Sequence, residues 1–364
     1  MTAAHHRLLS GVRRIGLAVK DAVSAMRSRR ISRQSRCTVT LEAPDLPRIT
    51  NPTMIREAPG WVIAARVPWY EMLPDGSYRV SRLAADGSAT VMMRLTDGLD
   101  ITDWTMVTEP DPRAYPDLPP HGLEDPRLFR SGDQLRISWV GLDAPSTFRA
   151  AQHARENSGS VFFPDWADAR TAVIVADLDG SKAGVPTILP SPLGNAREKN
   201  WMPLPNDTGQ LRFIYRLDPF EVATVDDSSD HSFADVRLDR APGRSRKLER
   251  WSGSSPAVRF RGGYLCVAHR ALREFALIPL VGRSVYLHRF VWVSEDLRER
   301  RVSRTFRFDS WGIEFCSGLA VEAGRVLMSY GMGDRTAHVT EVAEDTVLAL
   351  FPRHARPTSE HSTT

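Results

Sequence analysis

From about residue 48 the chain is built of short apolar runs rich in Val, Ile, Tyr, Phe and Trp, separated by Gly, Asp, Pro and Ser. Clear examples are Gly60–Val67, Ser77–Leu83, Gln134–Gly141, Thr171–Asp177 and Leu211–Arg216, followed by Gly263–His269, Val285–Val293, Val302–Phe308 and Arg325–Tyr330. Runs of this length, bounded by turn residues and enriched in β-branched and aromatic side chains, are strands. No long stretch of this region repeats at the helical period, so the expected class is all-β.

A weak repeat overlies the strands. A polar or proline-containing lead-in precedes a strand, a turn and a second strand, with units starting near Asn51-Pro52, Asp125-Pro126, Trp201-Met202-Pro203, Ser254-Ser255-Pro256 and Glu314-Phe315. The spacing suits a propeller blade plus its loops. Five units imply a five-bladed β-propeller over residues 46–352, with 1–45 as a basic leader and 353–364 as a disordered tail. A pair of β-sandwiches accounts for the strands equally well, but not for polar lead-ins recurring on one face.

The composition, 42% hydrophobic and 25% charged in 364 residues, is that of a globular chain able to bury a large core. Its net charge of +4 is misleading. Residues 1–40 hold nine basic side chains against the single acid Asp21, so the rest of the chain is mildly acidic. With no recognisable nucleic-acid-binding signature in that body, nucleic acid is not expected as a partner. In the leader, Leu8, Val12, Ile15, Val19, Ala22 and Met26 recur at steps of three and four, with Arg13, Arg14 and Lys20 around them. This pattern describes a short basic amphipathic helix, and residues 1–36 could then touch an anionic membrane surface from outside. The other reading is a loose N-terminal extension, since Gly11 and Gly16 weaken a helix. Three cysteines without metal-ligand spacing, and no signal-like apolar segment, make a cytoplasmic or membrane-peripheral protein the expectation.

Three segments carry chemistry. The segment Gly122-Leu123-Glu124-Asp125-Pro126-Arg127 sets two carboxylates, a rigid turn and a guanidinium ahead of a strand. Proline restricts the residue before it, which can hold Asp125 at a fixed angle. An ordinary ion-paired turn has the same composition. Arg197-Glu198-Lys199-Asn200-Trp201-Met202-Pro203 offers Lys199 and Asn200 for sugar hydroxyls and Trp201 for a pyranose face, or alternatively a surface turn anchored by a buried Trp. The third is Trp311-Gly312-Ile313-Glu314-Phe315, with Tyr330-Gly331-Met332-Gly333-Asp334 after it. Glu314 between apolar neighbours needs a partner or a task, and glycines around Asp334 allow close approach to a ligand; structural hydrogen bonds between blades are the competing explanation. Smaller signals are Asn51, Arg66, Tyr215, His269 and His288. A propeller gathers the start of each blade around one axial funnel, so these groups could share a polyol site.

These three segments resemble the five-bladed propellers related to glycoside hydrolase family 130, which include β-mannoside phosphorylases and are similar to the family 108 mannosyltransferases. The resemblance covers roughly residues 48–345. It implies inverting chemistry on a β-linked sugar, typically mannose, with Asp125 as proton donor relayed through a sugar hydroxyl. It also implies that Asn51, Arg66, Lys199 and Asp334 hold the donor sugar, with Arg127 in the same motif. A phosphorylase uses phosphate as nucleophile and needs a cationic pocket, for which Arg149, His153, Lys199, His269, Arg270, His288 and Arg289 are candidates. A hydrolase needs a second carboxylate to activate water, and Glu314 is the candidate. The expected activity is thus glycosyl transfer, as phosphorylase or glycosyltransferase, on an oligosaccharide or glycoconjugate. Neither metal nor cofactor is expected, though inorganic phosphate or a sugar phosphate can be a co-substrate. A hydrolase of the same fold and a non-catalytic glycan-binding propeller are the alternatives.

Overall fold

The computed structural model describes residues 27–358 apart from 47, 74, 76, 81–86, 111–114, 116, 158, 160, 227–233, 242–244, 246 and 273–283. Five antiparallel sheets follow one another along the chain as blades. Blade 1 is Thr50–Glu57, Gly60–Val67, Ala89–Leu95 and Ile101–Met106. Blade 2 is Leu123–Ser131, Gln134–Asp143 and Arg170–Asp179, the last edged by Lys182–Ala183 and Thr187–Leu189. Met202–Pro203, Arg212–Leu217, Phe220–Asp226 and Asp235–Arg240 make blade 3. Blade 4 is centred on Gly263–Leu272 and Val285–Ser294, and blade 5 on Glu314–Glu322, Arg325–Met332 and Thr336–Ala343.

The packing explains why the strands read as unbroken apolar runs. Every residue of Gly60–Val67 is buried. Trp61, Ile63, Ala65 and Val67 pack into a core shared with blade 5, while Val62 and Ala64 pack into a core shared with blade 2. The same period-two split recurs in blade 4, where Tyr264, Cys266 and Ala268 face blade 3 and Leu265 and Val267 face blade 5. Successive strand residues point to opposite faces, and here both faces meet a neighbouring blade. Five apolar cores, one between each consecutive pair of blades, therefore close the ring.

Closure uses the N-terminal segment, which moves the leader boundary read from sequence. Cys37–Leu41 pairs with Thr336–Ala343 as the outermost strand of blade 5. Arg29–Arg30 runs parallel to Phe306–Arg307 at the edge of blade 4, and Ile31 is buried between blades 4 and 5. Residues 29–41 are thus part of the propeller. The expected amphipathic helix falls on residues outside those described. Among the described residues, no helix is long and apolar enough to cross a membrane.

Two further departures from the sequence expectations lie on the outside. Tyr78–Val80 joins no blade; it pairs with Tyr70–Met72 and Val161–Phe162 in a small separate sheet. Helix Pro145–Glu156 packs on that sheet through Phe148 and Ala151. Only Thr147 and Ala151 of this helix are buried, so it has no apolar stripe to betray it, and its proline sits in the first turn, where the missing N–H costs nothing. The run Val302–Phe308 is divided into Arg300–Val302 and Phe306–Arg307.

Candidate active site

The first strand of each blade lines the axis, and hydrogen bonds tie these strands across it. Arg127 of blade 2 donates through Nε to the Ser254 carbonyl before blade 4's core at 2.9 Å, and Ser254 Oγ donates to the Cys316 carbonyl of blade 5 at 2.6 Å. Ser317 Oγ donates to the Pro52 carbonyl of blade 1 at 3.0 Å, and the Leu128 amide donates to Thr53 Oγ1 at 3.1 Å. The lead-in segments recognised in the sequence are these axial starts.

At the mouth of the axis the backbone is irregular in a repeated way. The pairing shifts register between Thr50 and Thr53 in blade 1, leaving Asn51 and Pro52 as a bulge, and opposite Glu124–Arg127 in blade 2, leaving Asp125 and Pro126. Asn51 and Asp125 have φ of 49° and 51°, and Asn200 and Asp334 have 65° and 52°. Positive φ is uncommon for residues other than glycine, and Asn and Asp tolerate it best. Bulges redirect a side chain out of the alternating pattern, and here they bring these polar groups into one cluster.

Asn51 Nδ2 donates to Asp125 Oδ1 at 2.7 Å. Arg66 Nη1 lies 3.5 Å from the same oxygen, and Arg66 Nη2 pairs with Glu124 Oε1. Arg66 is itself buried and fixed by donation to Ser88 Oγ at 3.0 Å and to the Tyr70 hydroxyl at 3.3 Å. Burial opposes its charge, yet Glu124, Tyr70, Asp125 and Asp334 hold its pKa well above the ordinary value. Burial, reinforced by Asp125 and Asp334 and opposed by Arg66 and Lys199, raises Glu124; burial and Asp125 likewise raise Asp334 against Arg66 and a hydrogen bond from Asn51. Arg127, also buried, donates to the Asp125 carbonyl at 3.1 Å and to Asn200 Oδ1 at 3.4 Å. Asn51, Arg66, Glu124, Asp125, Arg127, Lys199, Asn200 and Asp334 thus form one electrostatically connected group. His269 borders it, packed between Tyr286 and Phe315, its pKa pushed down to about 3 by burial, Lys199 and Arg127. It is a neutral ring, not a cation for phosphate.

Of the residues assigned to substrate binding from sequence, Trp201, Glu314, His288 and Tyr330 have other work, and Tyr215 sits at a cleft edge with its hydroxyl bonded to Glu198. Trp201 is 2% exposed, so no face is left for a sugar, and its indole N–H goes to Glu198 Oε2 at 2.9 Å. Tyr215 borders a cleft, but its hydroxyl is committed to Glu198 Oε1 at 2.9 Å. Glu314 is fully buried and accepts the backbone amides of Phe308, Asp309 and Ser310, pinning that turn. Both its oxygens are used, so it does not serve as the water-activating base. His288 is buried against Phe306 and Phe308, pushed down to about 3 by desolvation, and bonded to the Glu314 carbonyl. Tyr330 stacks on Phe308 at 4.0 Å in the core between blades 4 and 5. Sequence reading missed Tyr70 and Ser88, which fix Arg66 from outside any motif, and the anchoring role of Glu198 inside one. Among the described residues, no group of three or more His, Cys, Asp or Glu is placed to hold a metal.

No protein-family model and no curated protein sequence matches the chain. Solved structures do. One carries the description that the GH130 family of mannoside phosphorylases contains glycoside hydrolases that target β-1,2 mannosidic linkages in Candida mannan; it matches at TM-score 0.54 and 13% identity over 82% of this chain and 85% of its own. β-1,2-Mannobiose phosphorylase from Listeria innocua matches at 0.50 and 13%, over 86% and 93%. A glycosyl hydrolase from Bacteroides ovatus matches at 0.51 and 15%, over 82% and 85%. The chain has the fold of this group of propellers, in accord with the resemblance carried by its three motifs.

Proposed function

We propose that this protein is an inverting carbohydrate-active enzyme that transfers a mannosyl unit of a β-linked glycan, as a phosphorylase or glycosyltransferase, with Asp125 as its acid. The observation that carries the reading is the fixed placement of Asp125 among Asn51, Arg66 and Glu124. Asn51 and Arg66 both address Oδ1, and among the described residues Oδ2 takes no hydrogen bond. One oxygen anchors the carboxyl and the other is left to hold and deliver a proton. In the phosphorolytic direction of the proposed step, Oδ2–H passes its proton to a hydroxyl of the donor sugar, that hydroxyl passes its own to the leaving glycosidic oxygen, and the C1–O bond breaks; in the transfer direction the phosphate or nucleoside diphosphate leaves C1 and the acceptor hydroxyl gives up its proton along the same relay to the Asp125 carboxylate. The incoming oxygen attacks C1 from the opposite face, which inverts the anomeric centre. Asn51, Glu124, Lys199 and Asp334 supply the acceptors and donors that orient the sugar ring.

Hydrolysis is the weaker reading on this chain because its candidate base, Glu314, is occupied by three backbone amides. The deciding experiment incubates the full chain with mannose 1-phosphate or GDP-mannose and a panel of mannoside acceptors. Release of phosphate or GDP in step with a longer oligosaccharide supports the reading. Free mannose from a β-mannoside without phosphate dependence indicates a hydrolase, and glycan binding without turnover indicates a non-catalytic propeller.

A further inference from the structure

A cleft of about 340 Å³ lies between blades 3 and 4, beside the axial group. That volume is at the lower end of the ~300–1,000 Å³ range of ligand sites, and a lone phosphate ion would leave much of it to water. Arg197, Lys199, Arg216 and Arg250 line it, with Asn200 and Ser252 between them.

What matters is that the four cations outnumber the two acids that line the cleft with them. Arg197 donates to two carbonyls, those of Ala169 and Trp166, which fix its position without neutralising it. Arg216 lies over the Tyr215 ring at 5.1 Å and reaches Glu221 only at 3.8 Å. Lys199 and Arg250 are exposed and, among the described residues, have no ion pair. Two acids, Glu198 and Asp218, share the wall with these four cations, and both have fixed partners. Glu198 receives Ser191 Oγ at 2.5 Å and Asn195 Nδ2, the Tyr215 hydroxyl and Trp201 Nε1, each at 2.9 Å. Asp218 accepts the Ser245 amide at 3.0 Å and faces Arg300. A concave wall with an excess of one charge sign concentrates ligands of the other.

The cleft is continuous with the reaction centre. Lys199 acts electrostatically on both Glu124 and His269, and Asn200 receives Arg127, whose other hydrogen bond holds the Asp125 carbonyl. In the proposed transfer the donor sugar is held by the group around Asn51, Arg66 and Asp334, so a second sugar in this adjoining cleft is the acceptor. We infer that the acceptor is itself anionic, a hexose bearing a carboxylate or a phosphate, recognised by Arg216 and Arg250 in this cleft. The inference rests on the transfer reading and specifies its substrate class. Guanidinium groups favour such ligands because they bind carboxylate and phosphate through two parallel hydrogen bonds.

The test separates binding from turnover. Binding of glucuronate, mannose 6-phosphate, neutral mannose and inorganic phosphate is measured by NMR titration on Asp125→Asn full-length protein at fixed ionic strength. At least one of the two anionic sugars should bind ten-fold or more tighter than mannose, and which one does identifies the anion. Adding Arg250→Gln or Arg216→Gln should remove that advantage while leaving mannose affinity unchanged, and circular dichroism should show the folded state intact. Mannose binding as tightly as both anionic sugars overturns the inference. Inorganic phosphate binding as tightly as the sugars also overturns it, since the cleft would then serve a free ion. Because the readout needs no turnover, failure here leaves the transfer reading standing, and that reading fails separately if no neutral or charged acceptor is ever extended.

Discussion

Asn51 and Asp125, 74 positions apart in sequence, meet at 2.7 Å at the mouth of the propeller axis, each preceding a proline and each held at φ near +50°. Two neighbouring blades use the same local device to turn a polar side chain inward. Removing the donor should therefore harm chemistry more than folding. Asn51→Ala is expected to lower kcat on the order of 100-fold, since small misplacements of a reacting group cost about that much, with little change in Tm.

Gly331 provides an independent way to the same residue. A Cβ at Gly331 would collide with Asn51 and Thr50 across the junction of blades 5 and 1. Gly331→Ala should reproduce the kcat loss of Asn51→Ala without removing a polar group, and the double variant should show less than additive loss, as contacting residues do.

Glu198 and Glu314 mark the difference between a buried anchor and a reacting carboxylate. Glu314→Gln should lower Tm by disturbing the Phe308–Ser310 turn while leaving kcat within a few-fold. Trp201→Phe removes one hydrogen bond to Glu198 and part of a buried ring, and should cost about 2–3 kcal/mol of stability with unchanged KM. Chemical denaturation read beside steady-state kinetics checks both.

How far the sequence carried is visible in these same residues. Near-continuous apolar runs such as Gly60–Val67 are legible because each face enters its own inter-blade core, and the polar lead-ins are legible because every blade starts at the axis. Trp201, His288, Glu314 and Tyr330 misled because a polar atom in a strand start looks alike whether it faces substrate or a buried backbone amide. Only the partner decides, and the partners lie elsewhere in the chain. Tyr70 and Ser88, which hold Arg66, have no spacing that announces them, and the N-terminal strand Cys37–Leu41 finds its pair only when the ring closes.

That closure is testable. Deleting residues 1–26 should leave the cooperative unfolding transition in place. Deleting 1–41 removes the outer strand of blade 5 and Leu41 and Ile31 from two inter-blade cores, so Tm should fall steeply or the chain should fail to fold. Equal Tm for the two truncations would contradict the clasp.

Glu109 gives stability a pH dependence of its own. Burial pushes its pKa from 4.5 up to about 7, against hydrogen bonds from Thr90. The folded chain holds that proton more tightly than the unfolded one, so the stability contributed is fully present below the unfolded value and is lost as pH rises through about 7. The loss amounts to about 3 kcal/mol at most. Glu109→Gln should flatten this part of the profile and be more stable than the parent at pH 8, measured by denaturant titration across pH 4–8.

The most direct measurement of the central claim is turnover by Asp125→Asn. With mannose 1-phosphate or GDP-mannose and the acceptor that the parent protein extends, the variant is expected to form no product while unfolding at the parent's Tm and still binding the donor. Product formation at a rate near the parent's would contradict the assignment of Asp125 as the acid.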